Sequence, residues 1–248
     1  LIPSEGNHGE DLKEYYFYVD STPTHSYMKY LYKYPQAEYP YQRLIDENRN
    51  RGGAGPEYEL LDTGIFDEDR YFDVFVEYAK AGPEDICIRI EAFNRGPDEA
   101  ELHLLPQLWF RNIWAWTQAR RQEPVIVRGV PGKGYVCLVA DDSAADGLDN
   151  LPFEYKVGRR VLYGEADATP LFTDNETHAA KLYGPAADDG RRFVKDAFHR
   201  HVVGGEAAVN PGQTGTKACL HYVRRVAAGA STVVRLRLSN ADLADPLA

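Results

Sequence analysis

Residues 71–104 read YFDVFVEYAKAGPEDICIRIEAFNRGPDEAELHL, and the period of this stretch decides the fold. Phe72, Val74, Val76 and Tyr78 fall on one face of an extended chain, and Tyr71, Asp73 and Glu77 on the other. Gly82-Pro83 breaks the run. The next segment turns Ile86, Ile88 and Ile90 inward and Arg89 and Glu91 outward, and Asn94-Arg95-Gly96-Pro97 breaks it again. Ala100, Leu102 and Leu104 then alternate with Glu101 and His103. Three successive strands joined by short turns predict an antiparallel meander.

The pattern extends in both directions. Residues 124–130 and 135–140 flank Pro131-Gly132-Lys133-Gly134, and residues 218–226 and 232–238 flank Ala228-Gly229-Ala230-Ser231, so each pair reads as a hairpin. Pro40 opens a short helix carrying Tyr41, Leu44 and Ile45 on one face, and Gly52-Gly53 stops it. A second short helix is expected over residues 195–201. Residues 141–150 and 186–190 read as acidic surface loops. Nine of the 17 tyrosines lie between Tyr15 and Tyr41, interleaved with Pro23, Pro35 and Pro40. No period holds over residues 27–41, which predicts extended chain and loops laid over a surface. The whole reads as mostly β: an antiparallel, supersandwich-like β-sandwich with a few short helices and long loops. Strand patterns continue on both sides of the irregular middle, so residues 1–248 are expected to form a single domain.

A chain of 248 residues buries roughly 70–75% of its unfolded surface and needs no disulfide staples. Thirty-eight acidic against 28 basic side chains give a formal charge of −10, which repels phosphate backbones and anionic bilayers and argues against nucleic acid and membrane as partners. Neutral sugars are compatible with it. Cys87, Cys137 and Cys219 each sit alone in an apolar β-like run, the pattern of buried free thiols in a reducing compartment. With no signal-peptide pattern near Leu1, the chain reads as cytoplasmic.

Several groupings bear chemistry. Gly6-Asn7-His8-Gly9-Glu10-Asp11 packs an amide, an imidazole and two carboxylates between glycines, either a ligand-approaching loop or a polar flexible segment. Glu57, Glu59, Asp62, Asp67, Glu68, Asp69 and Asp73 offer carboxylate pairs for glycoside hydrolysis, or a solvated edge. The scattered histidines, with no HExxH or paired CxxC, give no zinc pattern, and no acidic stretch has EF-hand spacing, so no metal is expected. There is no Gly-rich nucleotide loop and no nucleophile elbow, and no cofactor is expected. All three tryptophans fall between Trp109 and Trp116, with Arg111 and Asn112 among them. Indole faces stack on pyranose rings while Arg and Asn bridge hydroxyls; equally, Trp109 and Trp114 could plug a core or an interdomain seam.

Further strings carry a resemblance. Gly6-Asn7-His8-Gly9-Glu10-Asp11, Lys13-Glu14-Tyr15-Tyr16, Asp20-Ser21-Thr22-Pro23-Thr24-His25-Ser26-Tyr27, Asp62-Thr63-Gly64 and Arg70-Tyr71-Phe72-Asp73 are among them. So are Leu108-Trp109-Phe110-Arg111-Asn112, Asn175-Glu176-Thr177, Lys195-Asp196-Ala197-Phe198 and Gly215-Thr216-Lys217. Over nearly its whole length the chain resembles the N-terminal β-sandwich region of proteins related to glycoside hydrolase family 63, the glucosidase I-like family. The resemblance implies a sandwich ahead of an (α/α)6 barrel that carries the acid and base of an inverting hydrolysis. That barrel falls outside these residues, and Asp245-Pro246-Leu247-Ala248 stands where a linker to it would begin. No catalytic residue therefore transfers to this chain. The implied partners are the C-terminal catalytic domain and an oligosaccharide at the domain boundary.

The leading expectation is a non-catalytic accessory domain whose rim residues are Asn7, His8, Glu10, Asp11, Trp109, Arg111, Asn112 and Trp114. Glu10 or Asp11 is expected to partner Arg111 and Asn112. The alternatives are an independent glycan-binding module and a self-sufficient hydrolase built on the carboxylates of residues 57–73.

Overall fold

The computed structural model describes residues 15–116, 121–147 and 155–248. The protein is a two-sheet, mostly antiparallel β-sandwich-like fold with few helices. Its strands are β1 (Tyr15–Ser21), β2 (Tyr27–Pro35), β3 (Tyr71–Gly82), β4 (Asp85–Asn94), β5 (Ala100–Leu104), β6 (Gln107–Trp109), β7 (Val125–Arg128), β8 (Tyr135–Asp141), β9 (Arg160–Glu165), β10 (Thr169–Thr173), β11 (Thr214–Gly215), β12 (Lys217–Val226) and β13 (Ser231–Ser239). The helices are α1 (Tyr41–Arg51), α2 (Ala179–Tyr183) and α3 (Ala197–Gly204). The larger sheet runs β1-β2-β3-β4-β13-β9-β8-β7-β11; the smaller runs β10-β12-β5, with β6 also paired to β12. No helix among the described residues is long and apolar enough to cross a membrane.

Three expectations need correction. The tyrosine-rich stretch is not loop: β1 and β2 are strands, and β2 pairs with β3 from Tyr27↔Ala79 to Pro35↔Tyr71. Tyr30, Tyr32 and Tyr34 share one face and Lys29 and Lys33 the other, but Tyr27 and Leu31 also sit on the lysine face and blur the contrast. Tyrosine suits a half-wet pleated surface, and β2 is half-buried along most of its length. The meander also fails at its third member, because β5 leaves for the smaller sheet. The final hairpin is likewise two strands in different sheets, β12 in the smaller and β13 in the larger. The hairpin of β7 and β8 does form, as does α1, which Pro40 precedes and Gly52 (φ 64°) ends.

The described residues fall into two compact units. The first holds those up to Ala79 together with Arg89–Leu102 and Arg224–Val234; the second holds Lys80–Ile88, His103–Val223 and Arg235–Ala248. In the first, Leu44 of α1 packs on Tyr58 and Leu60, with Tyr15, Tyr39, Ile65 and Phe66 around them. Asn48 fixes that loop by donating to the Tyr58 carbonyl (2.9 Å) and accepting from its N–H (2.7 Å). In the second unit, Cys137, Val161 and Tyr163 form one buried cluster, and Leu171, Phe198 and Cys219 another.

Asn94 closes the first unit. It is wholly buried, and its amide uses its full bonding capacity. Nδ2 donates to the carbonyls of Asp98 (2.7 Å) and Val226 (2.8 Å), while Oδ1 accepts from Gln36 Nε2 (2.7 Å) and the Gly96 N–H (2.9 Å). Its backbone N–H donates to the Ala230 carbonyl, and its carbonyl accepts from the Gly229 N–H. Asn94→Ala should cost about 3 kcal/mol, because it leaves several buried groups unpaired. Asn94→Asp should not rescue it, since a carboxylate supplies neither donor. Urea unfolding of the two variants beside the unsubstituted chain measures this.

Candidate functional site

The second unit gathers several of the strings noted in the sequence. β6 pairs with β12 so that Trp109 stands opposite Lys217 and Leu108 opposite Ala218. Beyond the strand, the Phe110 N–H donates to the Thr216 carbonyl (3.1 Å). On its other side Gly215 lets the Thr173–Asp174 backbone come close: a Cβ there would lie 2.2 Å from the Thr173 carbonyl oxygen. With the chains this close, the Asn175 N–H donates to Thr216 Oγ1 (2.8 Å) and the Thr216 N–H to Asp174 Oδ1 (3.3 Å).

Two asparagines lock the adjoining loops. Asn112 Nδ2 donates to the Asn175 carbonyl (2.9 Å), and Asn175 Nδ2 donates to the Phe110 carbonyl (2.8 Å). Asn112 Oδ1 also accepts the Ala115 N–H (3.1 Å) and so steadies the 3-10 turn Trp114–Trp116. That turn sends Trp114 inward, where its indole N–H donates to Glu176 Oε1 at 2.5 Å. Glu176 is itself buried.

Arg191 centres the charges here. It forms a fork with Glu123 and lies 3.5 Å from Glu176 and 3.8 Å from Asp174. Burial lifts the Asp174 carboxyl above its ordinary range; the Thr216 N–H and Arg191 pull it down, and Glu123 and Glu176 push it further up. With Asp189 also 4.0 Å away, one cation faces four carboxylates, a half-buried cluster that orders the loops before β7, after β10 and before α3.

Next to it, the Lys195 N–H donates to the Glu176 carbonyl (2.9 Å), and Lys195 Nζ to Thr177 Oγ1 (3.1 Å). His178 Nδ1 meets Asp196 Oδ2 at 2.9 Å. Lys217 Nζ sits over the Phe198 ring, 5.4 Å from its centroid.

The expected rim residues part company. Asn7, His8, Glu10 and Asp11 lie outside the described residues. Trp109 is 55% exposed and Arg111 is exposed, whereas Trp114 is only 6% exposed and takes the packing role rather than the stacking one. Asn112 finds its partners in Asn175 and Ala115.

Four of the seven carboxylates in the acidic stretch 57–73 have structural roles. Glu59 and Asp62 form a reciprocal cap on the 3-10 turn Leu60–Thr63. Buried Asp73 accepts Lys33 Nζ and Arg95 Nε, each at 2.7 Å, and Glu68 pairs with Arg70.

Sequence reasoning missed Asp174, Arg191 and Glu123 as site residues. Asn175-Glu176-Thr177 and Gly215-Thr216-Lys217 had stood out as strings, but nothing local marks an ion pair between positions 123 and 191.

No protein-family model matches the chain. It is 36% identical, over an alignment 262 positions long, to the uncharacterized protein YMR196W of Saccharomyces cerevisiae, a match that covers 97% of this chain. It spans only 24% of the yeast protein.

Removing the central cation should expose the cost of the cluster. Arg191→Met should destabilise the chain by about 2 kcal/mol at pH 7, with the partial exposure of the group taken into account. A carboxyl whose folded pKa is raised weakens the fold once ionised, and the penalty fades as pH falls back through that raised pKa. The deficit should therefore be smaller at pH 5 than at pH 7, and Arg191→Lys should recover part of it. Urea unfolding at the two pH values reads both effects.

Proposed function

We propose that the chain is the non-catalytic β-sandwich of an inverting, α-glucosidase-like glycoside hydrolase. In this role it shapes the rim of a sugar pocket and stabilises a C-terminal (α/α)6 barrel that carries the acid and the base. The observation that carries the reading is convergence. Four strings on which the resemblance rests, Leu108-Trp109-Phe110-Arg111-Asn112, Asn175-Glu176-Thr177, Lys195-Asp196-Ala197-Phe198 and Gly215-Thr216-Lys217, are knitted together in one unit by strand pairing and hydrogen bonds. Residues far apart in sequence that fold into one constellation make a chance likeness a poor explanation.

Two further points support it. A chain that matches a quarter of a longer relative leaves ample length for a barrel. Glu59, Asp62, Glu68 and Asp73 already serve as caps and ion-pair partners, which counts against a self-sufficient hydrolase built on them. Three unpaired cysteines, two of them buried, fit work in the reducing cytoplasm. Exposed Trp109 favours a second reading, an independent glycan-binding module.

Nitrophenyl glucosides offered to full-length YMR196W, to its segment matching this chain and to this chain alone test the proposal. Hydrolysis is expected from the full-length protein only. Turnover by this chain, abolished on mutating one of its own carboxylates, would make it an enzyme in its own right. An inactive full-length protein would remove the glycosidase reading altogether.

A further inference from the structure

We propose that Trp109, Lys195 and Lys217 form a binding site for a phosphorylated sugar. Trp109 and Lys217 are direct cross-strand partners on β6 and β12. Such partners have Cα atoms about 5 Å apart and project from the same face of their sheet. Trp109 presents an indole that is 55% exposed. On that face Lys217 Nζ reaches the Lys195 carbonyl (3.4 Å) and lies over the Phe198 ring, while the Lys195 ammonium donates to Thr177 Oγ1.

Acidic side chains outnumber basic ones in this chain, whose net charge is −10. Among the described residues, neither ammonium forms an ion pair with a carboxylate. Asp196, next to Lys195 in sequence, has its carboxylate taken up by His178 (2.9 Å), Lys181 (3.6 Å) and Arg200 (3.9 Å). Glu206 is held by Arg200 at 2.7 Å.

Burial draws the Lys217 pKa down from its ordinary value, and the neighbouring Lys195 charge adds to this. Cys219 opposes the shift, but its own thiol is pushed up to about 12 and stays neutral at physiological pH. A half-buried ammonium without a counter-charge disfavours folding unless something compensates it. An incoming dianion supplies that compensation, and two ammoniums suit the oxygens of a phosphate. The open indole face beside them suits the C–H face of a pyranose ring. The sugar half of the ligand rests on the carbohydrate reading above; the anionic half rests on the lysines alone.

The test titrates the 248-residue chain with glucose 6-phosphate, glucose, inorganic phosphate and AMP, followed by calorimetry and tryptophan fluorescence. Glucose 6-phosphate should bind at least about ten-fold more tightly than the other three and perturb the fluorescence. Its affinity should fall as salt is added. Trp109→Ala and Lys217→Gln should each weaken it by about ten-fold or more, whereas Lys133→Gln, in the exposed turn before β8, should leave it unchanged. Should Lys217→Gln fail to fold, Lys195→Gln carries the same expectation. Equal affinity for glucose and glucose 6-phosphate would overturn the site while leaving the carbohydrate reading intact. Inorganic phosphate or AMP binding as tightly as glucose 6-phosphate would overturn the sugar assignment, and no binding by any of the four would overturn the proposal outright.

Discussion

One buried amide ties together the two places where the chain passes between its sheets. After β4 the chain crosses to β5, and after β12 it crosses back to β13. Asn94 stands at the end of β4 and bonds through both side chain and backbone to Val226, Gly229 and Ala230 in the second crossing. It also bonds to Gly96 and Asp98 in the first. Neither crossing is closed by a hairpin ladder of its own, so their backbone groups need partners from elsewhere. The asparagine supplies them with three side-chain bonds and two from its backbone, in a spot that water does not reach.

A similar economy holds the site together. Asn112 and Asn175 each reach across to a backbone carbonyl in or beside the other's loop, which spares either segment from forming regular structure. The rigid frame then sets the orientation of three groups that differ in character. Trp114 is turned inward against Glu176, Arg191 is surrounded by acids, and Trp109 is left facing solvent. The chain thus places its charge unevenly. Carboxylates surround Arg191 in excess, while among the described residues Lys195 and Lys217 pair with no carboxylate and bond instead to Thr177 Oγ1 and the Lys195 carbonyl.

The strands of residues 71–104, 124–140 and 218–238 were legible in the sequence, and their partnership was legible only in part. Phe72, Val74 and Val76 alternate plainly and are buried, as the period requires. β2 was obscured because tyrosine is apolar along its ring and polar at its tip, so a strand with tyrosines on both faces shows little contrast. The turns at residues 94–97 and 228–231 look alike whether the flanking strands pair or diverge; the divergence is decided by Asn94, whose bonds span more than a hundred positions in sequence. Asn112 and Trp109 were picked out for the company they keep locally. Arg191 had no such cue, since its role is defined by Glu123, Asp174 and Glu176, which approach it only after folding.

The position of β13 bears on how the protein is made. This strand lies between β4 and β9 in the larger sheet, and Leu236 pairs with Gly164, about 70 positions earlier. During synthesis β4 and β9 leave the ribosome long before β13 does, and each waits with one row of backbone donors and acceptors open. Such edges readily recruit strands from other nascent chains. At ordinary elongation rates the exposure lasts several seconds or more, a window that holding chaperones would have to cover. Expression yield should therefore respond more strongly to translation speed and chaperone supply than the stability of the finished fold would imply.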